Sequence, residues 1–172
     1  LRLEHAAALT RGDRFIIRAD SPPVTVGGGV VLDPAPTRPG VRSVDGIASL
    51  RALDLEPTRP EAEAVLAMVA AGGLAGVHHS ALVSRAGVAP GAVAGMLEAL
   101  AARGVVTAGE QVVARSHLVR AGEELVKLVA AFHRAQPLSD GLPREEAREK
   151  ISAPASVFEQ VVDDLKSAKV LV

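Results

Sequence analysis

Chemistry in a protein needs particular side chains brought together, and this sequence offers few such groups. His78-His79 is its one paired metal-capable feature. Adjacent residues on a regular element point to opposite sides, and no acidic residue lies within four positions, so the pair is expected in a loop and not as ligands. Gly27-Gly28-Gly29 has the composition of a phosphate loop. Such a loop must open directly into a helix, whose free N–H groups face the anion. Here Val30-Val31-Leu32 follows and no Lys-Ser or Lys-Thr is nearby, so a bulge or a close backbone approach within a strand is expected instead. Glu145-Glu146 and Asp163-Asp164 fall on helical patterns and read as solvated faces; an acid–base dyad needs two carboxyl groups converging in a dry cleft. With no Cys, thiolate nucleophiles, thiolate metal sites and disulfides are excluded. Ser, His and Asp occur, but without a nucleophile-elbow pattern. The sequence therefore nominates no catalytic, cofactor-binding or metal-ligating residue.

Composition narrows the remaining classes. The 172 residues carry 19 Lys+Arg against 20 Asp+Glu, and 48% are hydrophobic. That balance belongs to an ordinary globular chain, not to a disordered or broadly polybasic one. Trp and Tyr are absent and Phe occurs only three times, which argues against RNA binding by stacking bases on aromatic rings. No apolar run is long enough for a membrane span, and the first residues lack the features of a secretory signal. A cytoplasmic monomer is the default expectation. The absent initiator Met suggests a piece of a longer protein.

The elements that would position any site are expected to be mainly helical, with small β elements. Residues 1–36 read as strands: Phe15-Ile16-Ile17, Val24-Thr25-Val26 and Val30-Val31-Leu32. They are too few to close a sheet and are expected to be the end of a larger β domain. Residues 37–57 read as a linker in a proline-rich stretch (Pro34, Pro36, Pro39, Pro57, Pro60), with a short helix at 43–54 whose Val44, Ile47, Leu50 and Leu53 would line one face. Residues 58–115 read as three helices and a hairpin. Thr58-Arg59-Pro60-Glu61 resembles a capping box, Ser80 can cap the second helix, and Pro90 opens the third. Residues 116–172 repeat the order. Leu125, Leu128, Val129 and Phe132 mark the first helix; the second and third open at Pro143 and Pro154; Val170-Leu171-Val172 reads as a strand.

The halves align at an offset of 65, which matches Val93 with Phe158, Leu97 with Val162, Leu100 with Leu165 and Val105 with Val170. Three helices followed by a hairpin is the winged-helix arrangement, so tandem winged-helix units are expected, the second with a truncated wing. A DNA-reading winged helix needs Arg, Lys, Asn or Gln on its third helix. At 90–102 the sole charge is Glu98, and the third helix of the second copy carries Glu159, Asp163 and Asp164 against Lys166. Phosphates repel such helices. Arginines are more frequent upstream, at 2, 11, 14, 18, 38, 42, 51 and 59. In the second copy Arg144, Arg148 and Lys150 share a helix with Glu145, Glu146 and Glu149, which predicts mutual pairing.

Gly12-Asp13-Arg14-Phe15-Ile16-Ile17-Arg18, with Ser21-Pro22-Pro23-Val24-Thr25-Val26-Gly27-Gly28-Gly29-Val30-Val31-Leu32-Asp33-Pro34, resembles the end of the third domain of the bacterial selenocysteine-specific elongation factors, the SelB family. That domain is a β barrel like the last domain of elongation factor Tu. The order of barrel end, proline-rich connection and tandem winged helices is similar to the family's, as is Pro137-Leu138-Ser139-Asp140-Gly141-Leu142-Pro143-Arg144-Glu145-Glu146. The resemblance implies an intact factor that binds GTP with Mg, carries selenocysteinyl-tRNA to the ribosome and recognises an mRNA hairpin beside a recoded UGA codon. The GTPase domain would precede this sequence, so this part would hold neither cofactor nor catalytic residues. The mRNA contact belongs to the family's last winged helix. This part would then be a spacer or hinge between body and tip, with Arg14 and Arg18 as the positions for an RNA contact. Changing the length of the connection at 34–60 is expected to lower UGA readthrough while leaving tRNA binding intact. The rival expectations are a tandem winged-helix DNA-binding regulator and a protein-docking module that presents the Ala-rich 90–102 surface.

Overall fold

The computed structural model describes residues 3–36, 43–54, 61–139 and 141–171. The chain forms two compact units, Leu1–Met68 with Ser80–Ala94, and Val69–His79 with Gly95–Val172. Helices dominate, and two small antiparallel sheets complete the architecture. Among the described residues no helix is long and apolar enough to cross a membrane.

In the first unit, β1 (Arg14–Arg18) pairs with β2 (Thr25–Val30) as a hairpin. The glycines do not separate two strands: β2 runs straight through them. Its irregularity falls one residue earlier, where Ile17 faces Gly27 but Arg18 faces Thr25, leaving Val26 as the extra residue. The glycines serve close approach, since a Cβ on Gly28 would lie 2.6 Å from the Phe15 carbonyl oxygen. Helix α1 (Val44–Leu53) begins where the Ser43 hydroxyl accepts from the Gly46 amide at 3.0 Å. Its expected apolar face is only partly used: Leu53 is buried, while Val44 and Ile47 are exposed. Helix α2 (Glu61–Ala71) ends before Gly72-Gly73 as its sequence predicts. Of the capping box expected at 58–61, residues 58–60 lie outside the described residues, as does the linker at 37–42 and 55–57. Helix α3 (Ala81–Ala86) stops at left-handed Gly87. Ser80 makes no capping bond to it, because its own backbone is already helical (φ -65°, ψ -25°) and so lacks the extended geometry of a cap.

In the second unit, β3 (Val77–His78), β4 (Val105–Ala108) and β5 (Gln111–Ala114) form an antiparallel sheet ordered β3-β5-β4. The strand β3 was absent from the sequence expectation: two residues are too short for a period-2 signal. It reaches β5 because Gly76, at φ 68°, passes within what would be 2.8 Å of the Val112 carbonyl oxygen for any Cβ. Helix α4 (Val93–Ala101) follows a 3₁₀ turn at Pro90–Ala92 and faces inward with Leu100.

Strand β5 passes into α5 (Arg115–Ala135) with no residue between them. Helices α6 (Arg144–Lys150) and α7 (Ala155–Ser167) complete the second helical copy. One core joins sheet and helices. Ala108 and Val113 pack with Leu118, Ala121 and Leu125 of α5, Ala147 and Ile151, and Val157, Phe158, Val161 and Val162 of α7. A buried side chain of this kind contributes about 1.5–3 kcal/mol through its apolar surface.

The duplication is visible in the backbone as well as in the burial. Leu82, Ala86 and Val88 are buried, and so are Ala147, Ile151 and Ala153 at the same offset of 65. Gly87 (φ 77°) corresponds to Ser152 (φ 53°), and Gly104 (φ 84°) to Lys169 (φ 57°). The copies diverge after that last pair. Val105 enters a strand, whereas Val170 and Leu171 do not form the expected one. Lys169 N donates to Lys166 O at 2.8 Å and Val170 N to Leu165 O at 2.9 Å, a Schellman end in which the Val170 amide serves α7 instead of a ladder.

Candidate nucleic-acid interface

A winged helix reads a duplex with its third helix and its wing. On α4 the exposed positions are Ala94, Gly95, Glu98, Ala99 and Ala101; on α7 they include Glu159, Asp163 and Lys166. Neither face offers base-edge donors in a row, and each carries a carboxylate where a phosphate would approach.

The wing turn between β4 and β5 is Gly109-Glu110, and it is not free. A Cβ on Gly109 would stand 3.0 Å from Ser156 Cβ, so the turn lies against the first residues of α7. Glu110 is met by the histidine pair. His78 Nε2 is 2.9 Å from Glu110 Oε2, and His79 Nδ1 is 3.3 Å from Glu110 O. The two rings stack, 5.0 Å apart and 20° from parallel, instead of pointing apart. Alternation fails because His78 ends β3 while His79 already belongs to the turn. Their acidic neighbour comes from 32 residues along the chain, beyond any local search. The hydrogen bond and charge of His78 lower the Glu110 pKa. Its contribution to stability is therefore complete above the usual carboxylate range and is lost as pH falls through the lowered value. Among the described residues no group of three or more His, Asp or Glu is placed to hold a metal.

The charges of α6 are mostly spent within the protein. Arg148 pairs with Glu145 at 2.8 Å and Lys150 with Glu146 at 2.7 Å, as the spacing predicts. Arg144 departs from that pattern and reaches across to Glu159 on α7. Asp164 accepts from Gln160 at 2.8 Å and stands 4.0 Å from Arg115. The paired carboxylates of sequence interest thus lie among surface charges and do not converge. A cavity of about 500 Å³ between α5, α6 and α7 is lined by Leu125, Val129, Phe158 and Val162, with His133 and Lys166 contributing polar atoms.

Arg14 and Arg18 are exposed on β1, four residues apart and therefore on one face with Ile16 between them. A partly buried ion pair lies elsewhere in that unit. Arg85 of α3 donates from Nε to Asp33 Oδ1 at 3.1 Å and from Nη2 to Asp33 Oδ2 at 2.7 Å. The Asp33 side chain is only 5% exposed. The hydrogen bond to Asp33 raises the Arg85 pKa against the cost of burial. The Ala35 amide donates to Asp33 Oδ1 at 2.9 Å, closing a short turn at the end of the hairpin. No sequence signal links position 33 to position 85.

The family model described as "Elongation factor SelB, winged helix" matches residues 126–172. This stretch covers the last part of α5 together with α6 and α7, and over it the chain is similar to that winged-helix domain. No curated protein matches the chain.

Proposed function

We propose that this chain is part of a translation elongation factor that delivers selenocysteinyl-tRNA to the ribosome at recoded UGA codons. Within that factor it acts as a spacer between a GTP-binding, tRNA-carrying body and a tip that holds an mRNA hairpin. The hairpin β1–β2 belongs to the body's β barrel, and the two helical repeats supply the distance. The observation that carries this reading is the shared core of β4, β5, α5 and α7, with β5 entering α5 directly. A joint without a linker keeps its geometry, and a fixed geometry is what lets one anchored end raise the local concentration of cargo at the other. The similarity over 126–172 and the acidic third helices support the same role, since a spacer has no bases to read.

The test is made in the full-length factor. Six Gly-Ser residues inserted between Ala114 and Arg115 are expected to lower UGA readthrough at least several-fold while leaving selenocysteinyl-tRNA affinity unchanged. Readthrough equal to that of the parent would refute the spacer role. The DNA-regulator reading predicts instead that this chain binds duplex with a steep salt slope, which a titration from low to high salt measures.

A further inference from the structure

We infer that the β1–β2 hairpin is held to α3 by a latch, so that the 34–60 connection does not set its position. Three contacts converge at the base of the hairpin. Asp33, three residues past β2, takes both nitrogens of the Arg85 fork, the geometry for which guanidinium and carboxylate are matched. Arg11, three residues before β1, donates its backbone N–H to Ser84 O at 2.9 Å, again on α3. The Arg11 side chain donates from Nη2 to Leu53 O at 3.0 Å, placing a cation on the last carbonyl of α1. Both strands of the hairpin are therefore fixed at one end, and the two ends are themselves joined by Gly12 N to Val31 O at 2.9 Å and Val31 N to Asp13 O at 2.8 Å.

These contacts bridge 42, 52 and 73 residues of sequence, the last being the separation of Arg11 and Ser84. The two contacts to α3 bypass the proline-rich connection, and the third fixes the hairpin to α1 within it. The hairpin has little else to hold it: Ile16, Val26 and Val30 are exposed, and its burial pattern contains no buried residue. An ion pair shielded from water resists salt screening far better than a surface pair would. The segment's position thus rests on two arginines and one aspartate. The inference concerns chain geometry alone and stands or falls separately from the elongation-factor reading.

Spin labels test it. The chain has no Cys, so Val26→Cys on β2 and Ala89→Cys beyond α3, both exposed, give a clean pair in the intact chain. Double electron–electron resonance is expected to give one narrow distance distribution. Ten or twenty Gly-Ser residues inserted after Pro36 are expected to leave its peak and width unchanged. Arg85→Ala is expected to broaden it at least twofold, and more so with each insertion. Asp33→Asn keeps an acceptor for the Ala35 amide while removing the charge, and is expected to broaden it as well. A width that grows with insertion length in the unmutated chain would overturn the latch, and so would a narrow distribution in both Arg85→Ala and Asp33→Asn. The insertion series decides the matter even if the substituted chains do not fold.

Discussion

The hairpin β1–β2 and the sheet β3-β5-β4 are both short, antiparallel and carry β-branched apolar residues. Yet Ile16 and Val26 of the hairpin are 71% and 64% exposed, whereas Val112 and Val113 of the sheet are wholly buried. The difference lies in what covers them. Helices α5 and α7 lie against the sheet and share its core, so each strand valine adds apolar burial. The hairpin has no such cover among the described residues of its unit and is fixed instead by polar contacts at its base. Two strands alone are marginal in water, and only three or more with a covered face persist by packing. Similar sequence patterns therefore yield one element stabilised by volume and another by a few directional bonds.

The comparison can be broken most severely from the covered side. Phe158→Ala removes the largest side chain of the shared core and is expected to cost about 3–5 kcal/mol. Because sheet and helices share that core, thermal unfolding followed by circular dichroism and by amide NMR of β5 should shift together. A loss confined to α7, with β5 signals unmoved, would mean that sheet and helices do not form one body.

A smaller effect sharpens the other side. At Gly28 a Cβ meets the Phe15 carbonyl oxygen, which is backbone and cannot swing away, so Gly28→Ala should open the pairing of β1 with β2. At Gly29 the neighbour is the Phe15 ring, at 2.8 Å, which can rotate at modest cost. At Gly27 there is open space, and alanine should be neutral or stabilising by about 0.4–1 kcal/mol through the unfolded chain. Hydrogen exchange of the β1 amides should rank Gly28→Ala as the fastest, then Gly29→Ala, then Gly27→Ala. Any other order would contradict the close-approach role assigned to Gly28.

Much of this architecture was legible because it is local. Helix starts at Pro90, Pro143 and Pro154, and stops at Gly72-Gly73 and Gly87, follow from proline's fixed φ and glycine's freedom at positive φ. The offset of 65 could be read from apolar spacing and reappears in Gly87/Ser152 and Gly104/Lys169. What could not be read depends on distant partners. Strand β3 exists only because β5 lies beside it. His78 and His79 converge on Glu110, and Asp33 meets Arg85, through tertiary placement that no spacing encodes. Val170 fails as a strand for a related reason: in the first copy β4 pairs with β5, whereas in the second copy the Val170 amide is already committed to the Leu165 carbonyl. Arg14 and Arg18, which the family resemblance alone nominates for RNA contact, are exposed on β1, and the described residues around them add no built site.

The spacer account rests on the sheet and the second helical copy moving as one solid piece. Native-state hydrogen exchange of Val112, Val113, Val161 and Val162 amides across a denaturant series measures this directly. One common opening free energy with one common denaturant slope is the result expected of a single cooperative body. Amides of β5 that exchange through a smaller opening, while those of α7 stay protected, would mean that the joint flexes and that the distance it spans is not fixed.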